Sequence, residues 1–255
     1  INLTTRNFVA KKDGDFAWTT DFNLAHNQNR LTKSYNGTQV NFGEISWIEG
    51  QDTKTYYMVR WAGVDPLDGS PMWYDANGNI TKVYDNNRVR GKSANPTVTG
   101  GMTNTLSYKN FSLRFLLNYQ FGGYAYSSFA SIMNSDGYNV LSYNQAIEQR
   151  NYWRNPGDIA MNTRPQAGVS TGSSRTSTRY LYKKDMVRLQ NVVLSYQLPR
   201  SLVNGWRLSN ASVSLIADNL LAYSPYSGSD HNSYKTLMNG YPLERTFTLS
   251  LNVGF

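Results

Sequence analysis

The chain of 255 residues has no cysteine, only two histidines and few charged side chains. Because thiolates are absent, the sequence excludes disulfides and cysteine-ligated zinc or iron–sulfur sites. No apolar run approaches the roughly 20 residues that a transmembrane helix needs. Charged residues form 16% of the chain, against roughly 25% in ordinary soluble domains, whereas aromatic residues reach 14%. This balance is unusual for a cytosolic enzyme and typical of an outer-membrane β-barrel.

The formal net charge of +8 comes from basic residues that are spread along the chain. Pairs such as Lys11 and Lys12, or Lys183 and Lys184, are too short for a basic arm or tail. Surfaces that bind nucleic acid usually cluster their Lys and Arg residues on one element or patch. The sequence therefore predicts no nucleic-acid partner and favours a basic surface near anionic lipid or another anionic partner.

Alternation of apolar and polar residues dominates the sequence, as expected for strands whose side chains point to opposite faces in turn. Residues 246–255 are apolar at every odd position and polar or glycine at every even one. In residues 180–198 the apolar phase slips near Asn191, which predicts a β-bulge. Seven membrane crossings are predicted, at residues 1–10, 15–28, 97–109, 111–122, 180–198, 208–221 and 244–255.

The connections between these strands are of two kinds. Residues 11–14 and 109–110 form tight turns, whereas about 30–56, 123–179 and 223–243 are long. Structureless connections longer than about 15 residues are uncommon in compact soluble domains, but outer-membrane barrels combine short periplasmic turns with long extracellular loops. We therefore expect the three long loops to be extracellular. A hairpin-like stretch at 56–74 either adds two crossings or lies above the membrane.

These patterns predict an all-β fold, a transmembrane antiparallel β-barrel with an apolar outer face and a polar lumen. A soluble β-domain is the alternative, but the polar faces carry Thr, Ser and Asn where a soluble surface has Lys and Glu. An open sheet edge in lipid leaves backbone groups unsatisfied, so a barrel has to close. Bacterial barrels have an even number of strands. Seven crossings and a start at Ile1, without an initiator Met or a signal peptide, lead us to expect the C-terminal part of a larger barrel.

Several motifs in the right order resemble the C-terminal portion of SusC/RagA-type TonB-dependent transporters of Bacteroidetes. Residues 61–75 resemble the family's GxDPxTGxPxYxD segment, and 95–111 resemble its NP…GG…YKNF strand pair. Residues 153–158, 186–199 and 218–230 match further family stretches, except that His231 stands where the family usually has Pro. Together these motifs cover nearly the whole chain.

The resemblance implies a 22-stranded outer-membrane barrel whose remaining N-terminal strands and plug domain are absent from this chain. It also implies a SusD-like surface lipoprotein as a lid, and energy from the TonB complex acting on the plug. The predicted function is TonB-dependent import of an oligosaccharide or a peptide. The alternatives are a passive porin or an adhesin-like barrel and, further off, a soluble carbohydrate-binding β-domain.

No enzyme chemistry is predicted, because no nucleophile–base group or isolated acidic pair stands out. Asp75, Asn77 and Asn79 alternate as in a calcium loop, but Ile80 replaces the required Gly and Asn86 replaces the final Glu. We interpret this stretch as a glycine-containing turn. Neither a metal nor another cofactor is predicted.

The long loop 123–179 is the best candidate for contact with cargo. Aromatic rings beside Asn, Gln and Arg can stack on sugar rings or hold a peptide backbone. On this ground Tyr138, Tyr143, Trp153 and Arg154 are predicted to bind ligand, and the alternative is that the aromatic rings pack the loop against itself or the lipoprotein. Residues 146–150 are predicted to form a short helix. The terminal Phe255 resembles the signal that the barrel-assembly machinery reads.

Overall fold

The computed structural model describes residues 1–85, 88–225 and 243–255, and the motif residues 226–230 and His231 lie outside these ranges. The described residues form fifteen strands: β1 Asn2–Phe8, β2 Ala17–His26, β3 Val40–Phe42, β4 Ile45–Trp47, β5 Thr55–Val64, β6 Pro71–Tyr74, β7 Ile80–Thr81, β8 Arg88–Ser93, β9 Val98–Tyr108, β10 Phe111–Phe121, β11 Tyr124–Tyr126, β12 Leu181–Lys183, β13 Met186–Gln197, β14 Asn210–Tyr223 and β15 Thr246–Gly254. The helices are short: α1 Ser128–Met133, α2 Arg200–Gly205, and 3-10 helices at Tyr35–Gly37, Ile147–Arg150 and Thr178–Tyr180.

The predicted crossings form a single antiparallel sheet of seven strands in the order β1-β2-β9-β10-β13-β14-β15. Neighbours in this sheet are also successive crossings along the chain, so the topology is a simple meander. Six of the predicted crossings contain one of the seven strands, and β14 overlaps the seventh, 208–221, but continues two residues further to Tyr223. The period-two pattern therefore located all seven strands of the sheet. Among the described residues, no helix is long and apolar enough to span a membrane.

The prediction of one strand over 180–198 was wrong, because the structure divides this stretch into β12 and β13. The chain turns where Gly122 and Gly123 adopt φ values of +77°. There the Gly122 N–H donates to Asp185 Oδ1 at 2.7 Å, and the Lys184 N–H donates to the Gly123 carbonyl at 3.1 Å. β11 and β12 then pair with each other as a separate ribbon.

The predicted bulge near Asn191 is confirmed. Leu116 pairs with Asn191 and Leu117 pairs with Leu189, so Gln190 is an extra residue in β13. The extra residue lets the side chains on both sides of it keep their faces while the sequence phase changes. The Asn118 amide donates to Gln190 Oε1 at 3.0 Å, which fixes the side chain of the bulge residue.

One face of the seven-stranded sheet, here called the apolar face, is covered with exposed hydrocarbon. A row of paired residues crosses six strands on it: Trp18, Leu106, Leu113, Leu194, Leu215 and Leu249. Leu249 is 75% exposed and Phe247 is 67% exposed. In water, each exposed Å² of such a surface costs roughly 25 cal/mol.

Asn104 is a polar residue on the apolar face, and it is nonetheless buried. Its Oδ1 accepts hydrogen bonds from Trp18 Nε1 at 2.8 Å and from Thr20 Oγ1 at 2.7 Å. Asn7 in turn donates from Nδ2 to Thr20 Oγ1 at 2.8 Å. A buried polar group with such partners avoids most of its desolvation cost.

The opposite face, here called the polar face, carries all five charged side chains of the seven described strands. The register aligns Arg6, Thr19, Thr105 and Arg114 in one row. A second row runs from Asp21 to Asp218, and Arg188 pairs with Asn118 on the same face. All strand charge therefore lies on one face, which it shares with a few apolar side chains such as Leu116 and Val193.

The two long connections between β2 and β9 and between β10 and β13 fold together, and we call residues 30–93 and 122–185 the loop layer. β3 to β7 form a small antiparallel sheet in it, and β8 pairs with β5. The hairpin predicted at 56–74 consists of β5 and β6 of this separate sheet, so it adds no strand to the meander. The long connections are thus built from short regular elements.

Most of the buried core lies in the loop layer. Its fully or nearly buried apolar side chains include Met58, Val59, Trp73 and Tyr180. The backbone amide of Trp61 in β5 donates to Thr178 Oγ1 at 3.0 Å, which joins the two halves of the layer. Among the described residues, the hydrophobic core therefore belongs mainly to the loop layer and not to the seven-stranded sheet.

Candidate functional site

A buried ion pair organises the second half of the loop layer. Arg179 donates from both terminal nitrogens to Asp136, Nη1 to Oδ2 at 2.9 Å and Nη2 to Oδ1 at 3.0 Å. The same guanidinium donates to Asn162 Oδ1 at 2.7 Å and to the Ser173 carbonyl at 3.1 Å. Thr163 Oγ1 also donates to Asp136 Oδ2, at 2.8 Å. Burial removes water from both charges, and the hydrogen bonds that surround the pair offset this desolvation cost.

The ion pair shifts the titration of its members. Burial by itself raises the pKa of Asp136, but the hydrogen bonds and charge of Arg179 outweigh burial and hold that pKa below its ordinary value. Burial raises the pKa of the neighbouring Tyr180 hydroxyl, which donates to the Asn134 carbonyl at 2.8 Å. At neutral pH the site therefore contains a carboxylate, a guanidinium and a neutral phenol.

A cavity of about 500 Å³ opens beside this network. Trp61 from β5, Arg179 and Tyr180 from the 3-10 helix, and Tyr182 from β12 form one part of its lining, with Glu148 and Asn162 from the long loop. The guanidinium carbon of Arg179 lies 4.8 Å from the centre of the Trp61 ring. Aromatic surface beside carboxylate, amide and guanidinium groups is suited to polar ligands with apolar faces, such as sugars and peptides.

Two motifs that are far apart in the chain, residues 61–75 and 153–158, are joined by hydrogen bonds in the loop layer. Trp153 Nε1 donates to the Pro66 carbonyl at 2.9 Å, and the Gly157 N–H donates to the same oxygen at 2.7 Å. Gly69 has φ +74°, and a Cβ there would lie 2.5 Å from the Trp153 ring. Glycine is thus required at position 69 for both backbone conformation and close packing.

The four predicted ligand residues differ in how far their side chains are exposed. Tyr138 and Tyr143 are 46% and 53% exposed and lie in turns that follow α1. Arg154 is exposed and stacks on Tyr152, with its guanidinium carbon 4.8 Å from the ring centre. Trp153 is only 7% exposed and its indole N–H is bound to protein, so it packs the loop instead of facing solvent.

None of the four predicted residues lines the 500 Å³ cavity, and no pattern in the sequence predicted the residues that do. Asp136 and Arg179 are 43 residues apart, and neither belongs to a spacing pattern typical of a site. The one local signal was the Asp136–Gly137 dipeptide, which favours a turn; Asp136 has φ +52° and Gly137 has φ +88°. Such a signal indicates a turn without indicating a buried charge.

The structure also describes the stretch that begins at Asp75 and the short helix predicted at 146–150. Asp75 Oδ1 accepts the backbone N–H groups of Asn77 and Asn79, and Gly78 has φ +91°, as expected for a glycine-containing turn. Asn86 of the calcium-like pattern lies outside the described residues. Within residues 1–85, 88–225 and 243–255, no three His, Asp or Glu side chains are grouped to hold a metal. The predicted short helix at 146–150 is the 3-10 helix Ile147–Arg150.

Known proteins with similar sequences are TonB-dependent receptors. TonB-dependent receptor P3 of Formosa agariphila is 25% identical over 100% of this chain and 28% of its own length. TonB-dependent receptor SusC of Bacteroides thetaiotaomicron is 26% identical over 94% of this chain and 25% of its own length. No protein-family model matches the chain. The chain spans about a quarter of the length of these relatives.

Solved structures give the same result. A structure of the RagAB peptide transporter superposes with a TM-score of 0.83 and 25% identity, over 100% of this chain and 28% of that one. The RagAB peptide importer in a closed-closed state superposes with a TM-score of 0.81 and 26% identity, over 100% of this chain and 29% of that one. Sequence and fold together show that the chain is homologous to SusC/RagA-type TonB-dependent transporters.

Proposed function

We propose that the protein containing this chain imports a nutrient across the bacterial outer membrane, with energy from the TonB complex. In this proposal the meander is part of a barrel wall, and the loop layer is its extracellular cover. The observation that carries the proposal is the separation of the two faces of the sheet. A row of apolar side chains crosses one face from strand to strand, with Leu194, Leu215 and Leu249 exposed, and all five strand charges lie on the other face.

The outer edges of the meander support a larger barrel. β1 and β15 each pair with one neighbour in the described chain. In hydrocarbon, an unpaired backbone group costs several kcal/mol, so both edges need further strands. We propose that the rest of the protein supplies these strands and the plug through which TonB acts. Phe255, which is 98% exposed after the last strand, would be the assembly signal.

The loop layer is well suited to contact cargo and a surface lipoprotein of the SusD type. Its buried ion pair and its Trp153–Pro66 contact give it a defined outer surface. Tyr138, Tyr143 and Arg154 remain exposed on it, and we propose that they contact cargo or the lipoprotein. A soluble carbohydrate-binding domain is disfavoured, because the apolar face would then be in water.

Uptake by living cells tests the proposal. The full-length gene is deleted and complemented with the wild type, and growth is measured on oligosaccharides or peptides as sole nutrient, with and without TonB. We expect growth that needs both the gene and TonB. Growth that needs the gene but not TonB would indicate a passive porin instead. Recovery of the full-length protein from the soluble fraction would exclude both barrels.

A further inference from the structure

A second cavity, which shares Trp61 with the first, is lined by residues of the β5–β8 pair. Its volume is about 490 Å³, within the usual range of roughly 300–1,000 Å³ for ligand pockets. Its walls include Met58 and Val89, which pair across the two strands, and Tyr74 from β6. We call this cavity the basic groove.

The charged residues that line the basic groove all have the same sign. They are Arg60, Arg90 and Lys92, and no carboxylate is among the described residues of the lining. Glu44, whose field contributes to raising the pKa of Tyr56, is outside the lining. Arg90 and Lys92 are exposed at the groove. Unbalanced positive charge in a concave surface attracts and retains anions.

Arg60 is positioned so that it can receive an anion. Its guanidinium carbon lies 5.1 Å from the centre of the Tyr74 ring, and its Nη2 donates to the Asp75 carbonyl at 3.1 Å. Its Nε is buried without a hydrogen-bond partner. A buried unsatisfied donor is costly. Turning the guanidinium toward a carboxylate would therefore give Nε a partner, in the two-pronged geometry that Arg favours.

We propose that the basic groove binds the carboxylate-bearing sugar rings of an acidic oligosaccharide, a proposal that rests on the import function above. A peptide is less suitable, because β5, the central strand of the groove, is already paired. β5 pairs along its length with β4, β8 and β6 and offers a peptide backbone no free edge, whereas the outer edge of β8 has no partner strand among the described residues. The apolar and aromatic walls fit the C–H faces of sugar rings, and the three cations fit their carboxylates.

Calorimetric titration of the purified full-length protein in detergent tests the proposal. The probes are trigalacturonate, its fully methyl-esterified form, and triglutamate. At low salt we expect the acid sugar to bind roughly tenfold or more tightly than its neutral ester. Raising the ionic strength to about 0.5 M should weaken binding of the acid and leave the ester unchanged.

Variants locate the binding in the groove. R90Q and K92Q each remove one exposed cation, and we expect each to weaken trigalacturonate binding by roughly three- to tenfold. The matched control is K12Q, which removes an exposed lysine from the tight turn between β1 and β2. R60Q should give the largest loss, and retained heat-modifiable migration on gels shows that the barrel is intact.

Four results would overturn the proposal: equal binding of acid and ester, equal effects of K92Q and K12Q, tighter binding of triglutamate, or no binding of any probe. The titration needs neither TonB nor a living cell. If the protein binds trigalacturonate through the groove but supports no TonB-dependent growth, the import function fails while the groove assignment stands. If growth is TonB-dependent but the titration fails, only the groove assignment is lost.

Discussion

The meander and the loop layer of this chain differ in which side chains they expose and which they bury. The meander exposes its leucines, with Leu249 at the extreme, and keeps every strand charge on the other face. The loop layer buries a complete ion pair and surrounds it with hydroxyl and amide groups. The exposed hydrocarbon of the meander fits the barrel wall proposed above, whereas the loop layer satisfies its buried charges with hydrogen bonds inside the protein.

The strongest test of the comparison removes the ion pair. Arg179→Ala leaves the Asp136 carboxylate buried and unpaired, and we expect a cost of about 3–5 kcal/mol to the loop layer. Hydrogen exchange of the full-length protein in detergent should show loss of protection in residues 122–185, with β13 and β14 still protected. Arg164→Ala, at an exposed arginine of the same segment, is the control. Equal loss of protection in β13 would show that the two regions unfold together.

The reverse test places a charge on the apolar face. We expect Leu249→Arg to destabilise the full-length protein in lipid vesicles by about 2–4 kcal/mol, because the guanidinium would enter hydrocarbon. Ser250→Arg, one residue further and on the polar face opposite Ser214, should have little effect. Urea unfolding in vesicles measures both. Similar costs for the two variants would contradict the assignment of faces.

A third test separates backbone strain from packing in the loop layer. Gly69→Ala should cost about 1–3 kcal/mol beyond the strain of its positive φ, because its Cβ would overlap the Trp153 ring. Gly43→Ala has a similar positive φ but meets no atom within 4 Å, so only the strain of about 1–2 kcal/mol applies there. Hydrogen exchange around Pro66 and Trp153 reports the difference. Equal loss of protection in the two variants would show that the Trp153 contact does not contribute to stability.

The smallest expected effect comes from acid. The pKa of Asp136 is lower in the folded state than the unfolded value of about 3.9, so its stabilisation is complete above that pH. It is lost as pH falls from about 4 through the folded pKa. Limited proteolysis between pH 5 and 3 should show the loop layer opening before the meander. Asp136→Asn, which cannot titrate, should remove this pH dependence; the same dependence in the variant would assign it to other groups.

The same contrast explains how much of the molecule could be predicted from its sequence. Residues 246–255 identify their strand by alternation alone, and the slip near Asn191 identified the bulge. These signals are local, because a strand in a meander pairs with its neighbours in the chain. The resemblance of the motifs to SusC/RagA-type transporters is confirmed by relatives and solved structures that match along the chain.

The loop layer could not be predicted in this way, because its contacts join distant residues. Trp153 and the Pro66 carbonyl are 87 residues apart, and Asp136 and Arg179 are 43 apart. The sequence does not show whether an aromatic residue in a long loop is exposed to a ligand or packed inside the protein. Trp153 fills a gap, whereas Tyr138 and Tyr143 face outward, and the sequence offers no feature that distinguishes them.

The extra residue Gln190 has a consequence for insertions and deletions. Val187 and Leu189 precede it on the apolar face, and Val192 and Leu194 follow it there, so the odd–even rule changes at this residue. If Gln190 took a regular place in the ladder instead of bulging, one half of β13 would have to turn over, and the half that contains Arg188 would bring a guanidinium to the apolar face. Single-residue deletions elsewhere in the regular parts of the seven strands would exchange the faces of all residues on one side of the deletion, whereas deletion of Gln190 would remove only the bulge and leave each side chain of β13 on its present face.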